Sequence, residues 1–288
     1  GLGSYPILLG GGAALVEKWI PAVARGEAAA SFALTEVSAG SDVSAIEMTA
    51  ERDGDDWRLT GEKTYISNAP GADVYTVFAR TSDNGARGLT AFALAGDAPG
   101  VGGCAIDLIS PHPIGTLELD GAVVPADGLI GEVDRGFGVA MRTLNLFRPS
   151  VGAFAVGMAQ AALEAATEHA VSRQQFGSPL KDFQAVSHAI AEMATQTQAA
   201  RLLVKAAADA TDAEGEDPTE LVAMAKLYAT ETAQRVVDTA IQVHGARALE
   251  QGHLLEHLYR EVRAPRIYEG TSEIQREIIA RRLLGGRR

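Results

Sequence analysis

Near the C-terminus the chain reads Arg266-Ile267-Tyr268-Glu269-Gly270-Thr271-Ser272-Glu273-Ile274. A carboxylate sits on an apolar approach and is followed by a glycine, then by a hydroxyl pair able to start a helix. Ser272 and Gln275 match a Ser-x-x-Gln capping box, and Ile274, Ile278, Ile279 and Leu283 continue at helical spacing. This spacing predicts Glu269 just outside a helix N-terminus. A carboxylate held there in apolar surroundings can act as a base, because desolvation lifts its pKa towards working pH. A solvated turn residue satisfies the same pattern, so the segment alone leaves both readings open.

Other constellations are weaker singly. In Thr35-Glu36-Val37-Ser38-Ala39-Gly40-Ser41-Asp42 a Gly-Ser step exposes backbone N–H groups and hydroxyls, which suits a pyrophosphate or a flavin edge. A polar turn between strands reads the same way. Histidines 112, 169, 188, 244, 253 and 257 show no metal-ligand grouping, and Cys104 is the one cysteine, so no metal is assigned. No Gly-x-Gly-x-x-Gly follows a strand, which leaves a Rossmann mode of nucleotide binding without support.

Composition bounds the function classes. With 288 residues the chain can bury a large core and form two domains. Lys plus Arg number 25 against 37 for Asp plus Glu, a formal net charge of −12 that argues against a nucleic-acid surface. One cysteine allows no intrachain disulfide and points to a reducing compartment, the cytoplasm. No apolar run reaches ~18 residues, so no membrane span is expected.

The elements that must position these residues fall into an α+β arrangement. Residues 31–132 favour strands: Trp57-Arg58-Leu59-Thr60, Tyr75-Thr76-Val77-Phe78-Ala79 and the alternating Leu117-Glu118-Leu119-Asp120, with turn signals at 53–55, 83–85 and 98–100. They predict a compact β domain, a barrel or sandwich. From 133 to 288 the period becomes helical. Phe183, Val186, Ile190 and Met193 repeat at three and four, a break at 215–218 precedes a helix over 219–243, and segment 139–172 and a last helix complete an antiparallel four-helix bundle. Alanines and glycines in 152–166 let helices approach closely. Residues 1–30 hold one helical stretch, about 11–25.

Residues 32–42 resemble the flavin-binding signature of acyl-CoA dehydrogenases, and Gly61-Glu62-Lys63-Thr64-Tyr65-Ile66-Ser67-Asn68-Ala69 is similar to that family's second signature. Gly136-Phe137-Gly138, Arg148-Pro149, Arg173-Gln174-Gln175-Phe176-Gly177, Gln242-Val243-His244-Gly245 and the Tyr-Glu-Gly-Thr-Ser segment follow in the family's order and spacing. The resemblance spans essentially the whole chain. It implies FAD between the β domain and the bundle, its far end reaching a neighbouring subunit. Phe32, Leu34, Thr35, Gly40, Ser41, Tyr65, Ile66 and Ser67 would line the flavin. Arg173, Gln175, Phe176, Phe183, Gln184, Gln242, Val243, Gly245, Ala246, Thr271 and Glu273 would also meet the cofactor. Ser41, Thr81, Asn145, Arg148 and Gly270 would serve the substrate.

The implied reaction is α,β-dehydrogenation of an acyl thioester, on CoA or a carrier protein. Glu269 removes the α-proton, hydride leaves Cβ for flavin N5, and the Glu269 N–H and a flavin ribityl hydroxyl bind the thioester carbonyl. A minority branch carries its Glu one residue before Arg148. Here that residue is Phe147, so Glu269 is the base. An electron-transfer flavoprotein and a homo- or heterotetramer complete the expected partners. Residues 1–30 read as the tail of a helical domain, and the resemblance implies further residues, from the same polypeptide or a partner chain, walling the acyl site.

Three departures qualify the resemblance. Tyr65 stands where a tryptophan is usual. Gly245-Ala246-Arg247-Ala248 replaces a glycine run, and two extra β-carbons would crowd a cofactor. The segment from Ile106 to Ile114 is apolar, with two prolines and His112, read as a surface loop residue. The rival functions are a cofactor-poor partner subunit that completes another chain's site, and a flavin monooxygenase or oxidase on the same fold. The intact Glu269 argues against both.

Overall fold

The computed structural model describes residues 1–213, 215 and 217–285. Two compact units divide the chain, Gly1–Leu144 and Asn145–Arg288. The first contains helices α1 (Tyr5–Gly10) and α2 (Ala13–Ala24) and strands β1 (Ala30–Ala33), β2 (Thr49–Asp53), β3 (Asp56–Ser67), β4 (Val74–Arg80), β5 (Leu89–Ala95), β6 (Val101–Gly102), β7 (Ile114–Val124) and β8 (Leu129–Ile130). The strands form one mixed sheet in the order β6-β7-β3-β2-β4-β5-β8, with β1 pairing parallel to β4.

The aromatic and β-branched runs expected as strands lie within β3, β4 and β7, and Gly54 at φ +65° turns β2 into β3. The β5 strand, Leu-Thr-Ala-Phe-Ala-Leu-Ala, was not anticipated, because it is buried on both faces and so shows no alternation. Val74, Phe78, Leu89 and Ala91 face one core cluster together with Ile7 and Leu15 of the N-terminal helices. Tyr75, Val77, Phe92 and Leu94 face a second cluster with Trp57, Leu59 and Leu117. Trp57 of β3 packs on Phe92 of β5 at 5.3 Å between ring centroids, so the sheet curls around this cluster. Full burial of such a side chain stabilises by about 1.5–3 kcal/mol. Helix α1 is also additional to the expected 11–25 stretch. It is only six residues long, with a proline in its first turn, and tertiary burial of Ile7 rather than local pattern holds it.

The second compact unit takes most of α3 (Gly136–Ser172), within which the division falls, then α4 (Gln184–Asp212), α5 (Thr219–His244), α6 (Leu254–Glu261) and α7 (Ser272–Leu283). A two-strand hairpin, β9 (Gln174–Gln175) and β10 (Ser178–Pro179), joins α3 to α4. The expected break at 215–218 separates α4 from α5, with Glu214 and Glu216 outside the described residues. The bundle core is small-residue packing: Ala155, Ala159, Ala162 and Ala166 of α3 meet Ala200, Val204 and Ala207 of α4 and Ala225, Ala229 and Ala233 of α5. Gly152 permits the closest approach, since a β-carbon there would stand 2.7 Å from Val204 Cγ2. Among the described residues no helix is long and apolar enough to cross a membrane.

One local expectation is displaced by a residue. Thr271, not Ser272, caps α7, its hydroxyl accepting from the Ile274 N–H at 3.3 Å. The Ser272 hydroxyl donates instead to Glu231 Oε1 of α5 at 2.6 Å, and the Gln275 amide turns back to the preceding loop. Both hydroxyls are competent caps, and the half-buried Glu231 carboxylate on α5 decides between them.

Candidate active site

Glu269 lies two residues before the α7 cap, in the left-handed region at φ +54°, followed by Gly270 at φ +91°. A non-glycine residue there costs about 1–2 kcal/mol, so the surroundings must hold it. They grip the backbone. The Glu269 carbonyl accepts from Arg148 Nε at 3.0 Å and from Gln275 Nε2 at 3.3 Å. The Gly270 carbonyl accepts from Lys226 Nζ at 2.6 Å and Gln275 Nε2 at 3.0 Å. A β-carbon on Gly270 would stand 2.7 Å from Gln275 Nε2 and 3.3 Å from Arg148 Nη2, so the loop closes this tightly only with glycine. Arg148 is itself buried and donates through Nη1 to Asn145 Oδ1 at 2.6 Å, while the Asn145 amide donates to Thr219 Oγ1 at 3.2 Å.

The Glu269 carboxylate is left out of this network. Its Oε2 is buried and bonded to no described residue. Burial pushes the carboxyl up to about 7, against the opposing pull of the Lys226 and Arg148 charges. Burial also holds Lys226 down, to about 8, and lowers Arg148. Such a group exchanges protons near neutrality and has a lone pair to spare. The Glu269 N–H likewise donates to no described residue. Carboxylate and amide N–H at one position offer a proton acceptor beside a donor for developing oxygen charge.

Four of the expected site residues, Asn145, Arg148, Glu269 and Gly270, therefore come together. Thr271 serves as cap, and its hydroxyl also bonds the exposed Glu273 carboxylate. Lys226 was not anticipated. Its signal was present: it shares a helix face with Val222, Ala229, Thr230 and Ala233, all buried, where a lysine has no business without a partner.

The residues expected at the flavin fall into two groups. In the first compact unit, β3 bulges between Lys63 and Ile66, and Tyr65 at φ +55° turns its ring outward, 60% exposed. Ile66 and Leu34 point into the core, whereas Gly40, Ser41 and Ser67 are exposed. Phe32 packs on Phe78 at 4.9 Å. The Thr35 carbonyl accepts from the Thr64 N–H at 2.9 Å, tying the first signature to the second. His112 is exposed in the loop before β7, with its Nε2 2.9 Å from the Ser67 hydroxyl. Thr81 donates to Asp134 Oδ1 at 2.6 Å and lies 2.6 Å from the Thr90 hydroxyl.

In the second unit, Arg173, Gln175 and Phe176 sit on the β9–β10 hairpin. Phe176 is 94% exposed and edge-on to Phe183, which precedes Gln184 at the start of α4. Gln242 and Ala246 are exposed, Val243 is partly buried against the bundle core, and Gly245 ends α5 at φ +69°. Of the two extra β-carbons, that of Ala248 packs into the bundle core while that of Ala246 is exposed. Arg173 forms no ion pair among the described residues. In this unit a guanidinium without an ion pair and an exposed aromatic ring suit a phosphate and a flat heterocycle, and in the first unit the exposed Tyr65 ring and the Ser41 and Ser67 hydroxyls suit a flavin edge. The residues present fit FAD.

Residues 134–284 match the family model described as acyl-CoA dehydrogenase, C-terminal domain, and residues 31–120 match the acyl-CoA dehydrogenase middle domain. The chain is 39% identical to cyclohexane-1-carbonyl-CoA dehydrogenase of Geobacter metallireducens, over 98% of this chain and 75% of that protein. It is 37% identical to the caffeyl-CoA reductase–Etf complex subunit CarC of Acetobacterium woodii, over 98% of this chain and 76% of the relative. The solved glutaryl-coenzyme A dehydrogenase–glutaryl-CoA complex superposes with a TM-score of 0.95 at 38% identity, covering 99% of this chain and 74% of the other. Fold, motif order and these likenesses agree: the chain belongs to the acyl-CoA dehydrogenase family and is an FAD-dependent oxidoreductase.

Proposed function

We infer that the protein dehydrogenates an acyl thioester, on CoA or a carrier protein, to the trans-2-enoyl thioester, with Glu269 as the α-proton base. The observation that carries this is the wiring of Glu269: its backbone is clamped by Arg148 and Gln275 while its buried carboxylate oxygen has no partner. An α-proton beside a thioester is far too weak an acid for a carboxylate in water. A base brought to about 7 by burial narrows that gap, and the open Glu269 N–H can bind the oxygen on which charge develops. Arg148 and Asn145 support the base through their bonds to Glu269 O, Thr219 and each other, and Arg148 Nη2, without a partner among the described residues, leaves their proposed place beside the substrate open. FAD, held by the residues named above, supplies the acceptor for the β-hydride. An electron-transfer flavoprotein is the proposed downstream electron acceptor, a reading supported by the Acetobacterium relative being named as an Etf-complex subunit. Exposed Phe154, Val171 and Leu202 on the bundle helices support association, proposed as a homo- or heterotetramer.

Stopped-flow bleaching of the flavin tests the base. Cyclohexane-1-carbonyl-CoA, glutaryl-CoA and butanoyl-CoA are mixed with wild type and Glu269→Gln. The variant retains flavin absorbance and loses about three or more orders of magnitude in bleaching rate. Bleaching near the wild-type rate would remove Glu269 from the chemistry.

A further inference from the structure

Lys226 is fully buried on the core face of α5, among Val222, Ala223, Ala225, Ala229 and Thr230. Taking an ammonium out of water costs several kcal/mol, and breaking even costs less with a neutral side chain. A glutamine would serve if the need were only a hydrogen bond to the Gly270 carbonyl. The charges around Lys226 decide the matter. Glu269, Glu231 and Glu273 favour its charged form and Arg148 opposes it, with Glu269 the strongest of the four. Glu231 is occupied by Arg266 at 3.0 Å and Ser272 at 2.6 Å, and Glu273 by Arg276 at 3.3 Å. Tyr268 lies beside Glu269, with Glu261 beyond it. Lys226 forms no salt bridge with Glu269, yet its field acts on that carboxylate.

We propose that Lys226 is a positioning residue for the proton-transfer step: bonded to the Gly270 carbonyl, it fixes the loop and keeps Glu269 ionised from a distance, without occupying the oxygen that must take the proton. This rests on Glu269 being the base. A direct ion pair would consume the lone pair and hold the carboxylate too acidic to act. No cation at all would leave it protonated at neutral pH. A lysine anchored on the next residue's carbonyl avoids both.

The test reads the Glu269 carboxyl directly, without a substrate. Infrared difference spectra of the FAD-loaded protein between about pH 5 and pH 9 should show a protonated-carboxyl band with a midpoint near 7, absent from Glu269→Gln. In Lys226→Met and Lys226→Gln the midpoint moves up by about one pH unit or more. In both variants bleaching by the active acyl-CoA slows about fivefold or more at pH 7 and recovers as pH rises, a pattern that loss of packing alone does not produce. Glutamine keeps a hydrogen bond to the Gly270 carbonyl, so a full shift in that variant assigns the effect to charge. Should neither variant fold, the reciprocal coupling is read in Glu269→Gln, where one lysine resonance of 13C-ε-labelled protein titrates at lower pH than in wild type. An unmoved midpoint in the Lys226 variants, or no lysine displaced in Glu269→Gln, overturns the proposal. A wild type with no carboxyl band lost in Glu269→Gln overturns the base assignment beneath it.

Discussion

Two buried lysines, one in each compact unit, lie near carboxylates and are wired in opposite ways. In the β unit, Lys63 donates to Glu36 Oε1 at 2.7 Å and to the Leu34 carbonyl at 3.1 Å. Glu36 also accepts from the Glu47 N–H at 2.6 Å and the Met48 N–H at 3.0 Å, so both of its oxygens are bonded. Burial lowers Lys63 to about 8 while Glu36 pulls it back up. In the helical unit, Lys226 and Arg148 hold backbone carbonyls and leave Glu269 Oε2 without a partner. The same two residue types make a structural brace in one place and, in the other, the unpaired carboxylate proposed as the base. What separates them is the number of donors each carboxylate receives. In the brace both carboxylate oxygens accept hydrogen bonds, whereas Glu269 Oε2 accepts none.

The sharpest way to break this contrast is the same exchange at both positions. Glu269→Gln is expected to abolish reduction, by three or more orders of magnitude, with stability at neutral pH unchanged or raised. Glu36→Gln leaves Lys63 buried against a neutral amide and is expected to destabilise by about 3 kcal/mol or more. Urea midpoints of the two variants, taken alongside their bleaching rates, would merge the two classes if both lost stability equally.

The pH dependence of stability follows with a defined sign. A carboxyl raised from 4.5 to about 7 on folding stays protonated where the unfolded chain has already ionised. Its stabilising contribution is therefore full below about 4.5 and lost as pH rises towards 7, by at most about 3 kcal/mol. Denaturant melts at pH 4.5, 5.5 and 7 should show wild type losing ground to Glu269→Gln across that window. Parallel curves would mean the carboxyl is not desolvated.

Gly270→Ala sharpens the geometric half of the contrast. At φ +91°, with Gln275 2.7 Å from the new β-carbon, it should cost about 1–2 kcal/mol. The reduction rate should fall further than stability does, because the clamp on the Glu269 carbonyl moves. Equal changes in the two would show the loop to be structural only. The smallest effect expected is that of Ser272→Ala, which removes one of two partners from Glu231 and should lower stability by about 1 kcal/mol, with little change in rate. A large loss of rate there would place Glu231 within the proton-transfer network.

The strand and helix runs of β3, β4, β7, α4 and α5 were legible because amphipathic period and turn residues are local properties. The placing of Glu269 just ahead of a helix was legible too, in the Tyr-Glu-Gly-Thr-Ser segment, whereas its proposed role as base came from the family resemblance. β5 escaped because burial on both faces erases alternation, and α1 because a six-residue helix lives on tertiary packing. Lys226 had left its mark as a cation on an alanine face, but its partner is a carbonyl 44 residues away. Which hydroxyl caps α7, where Gln275 turns, and whether Glu269 ends as a brace or as a base all depend on how many donors arrive from distant segments. Residue types and their spacing name the groups that can ionise. Protonation and pairing are settled by desolvation and by neighbours that only folding brings within hydrogen-bond reach.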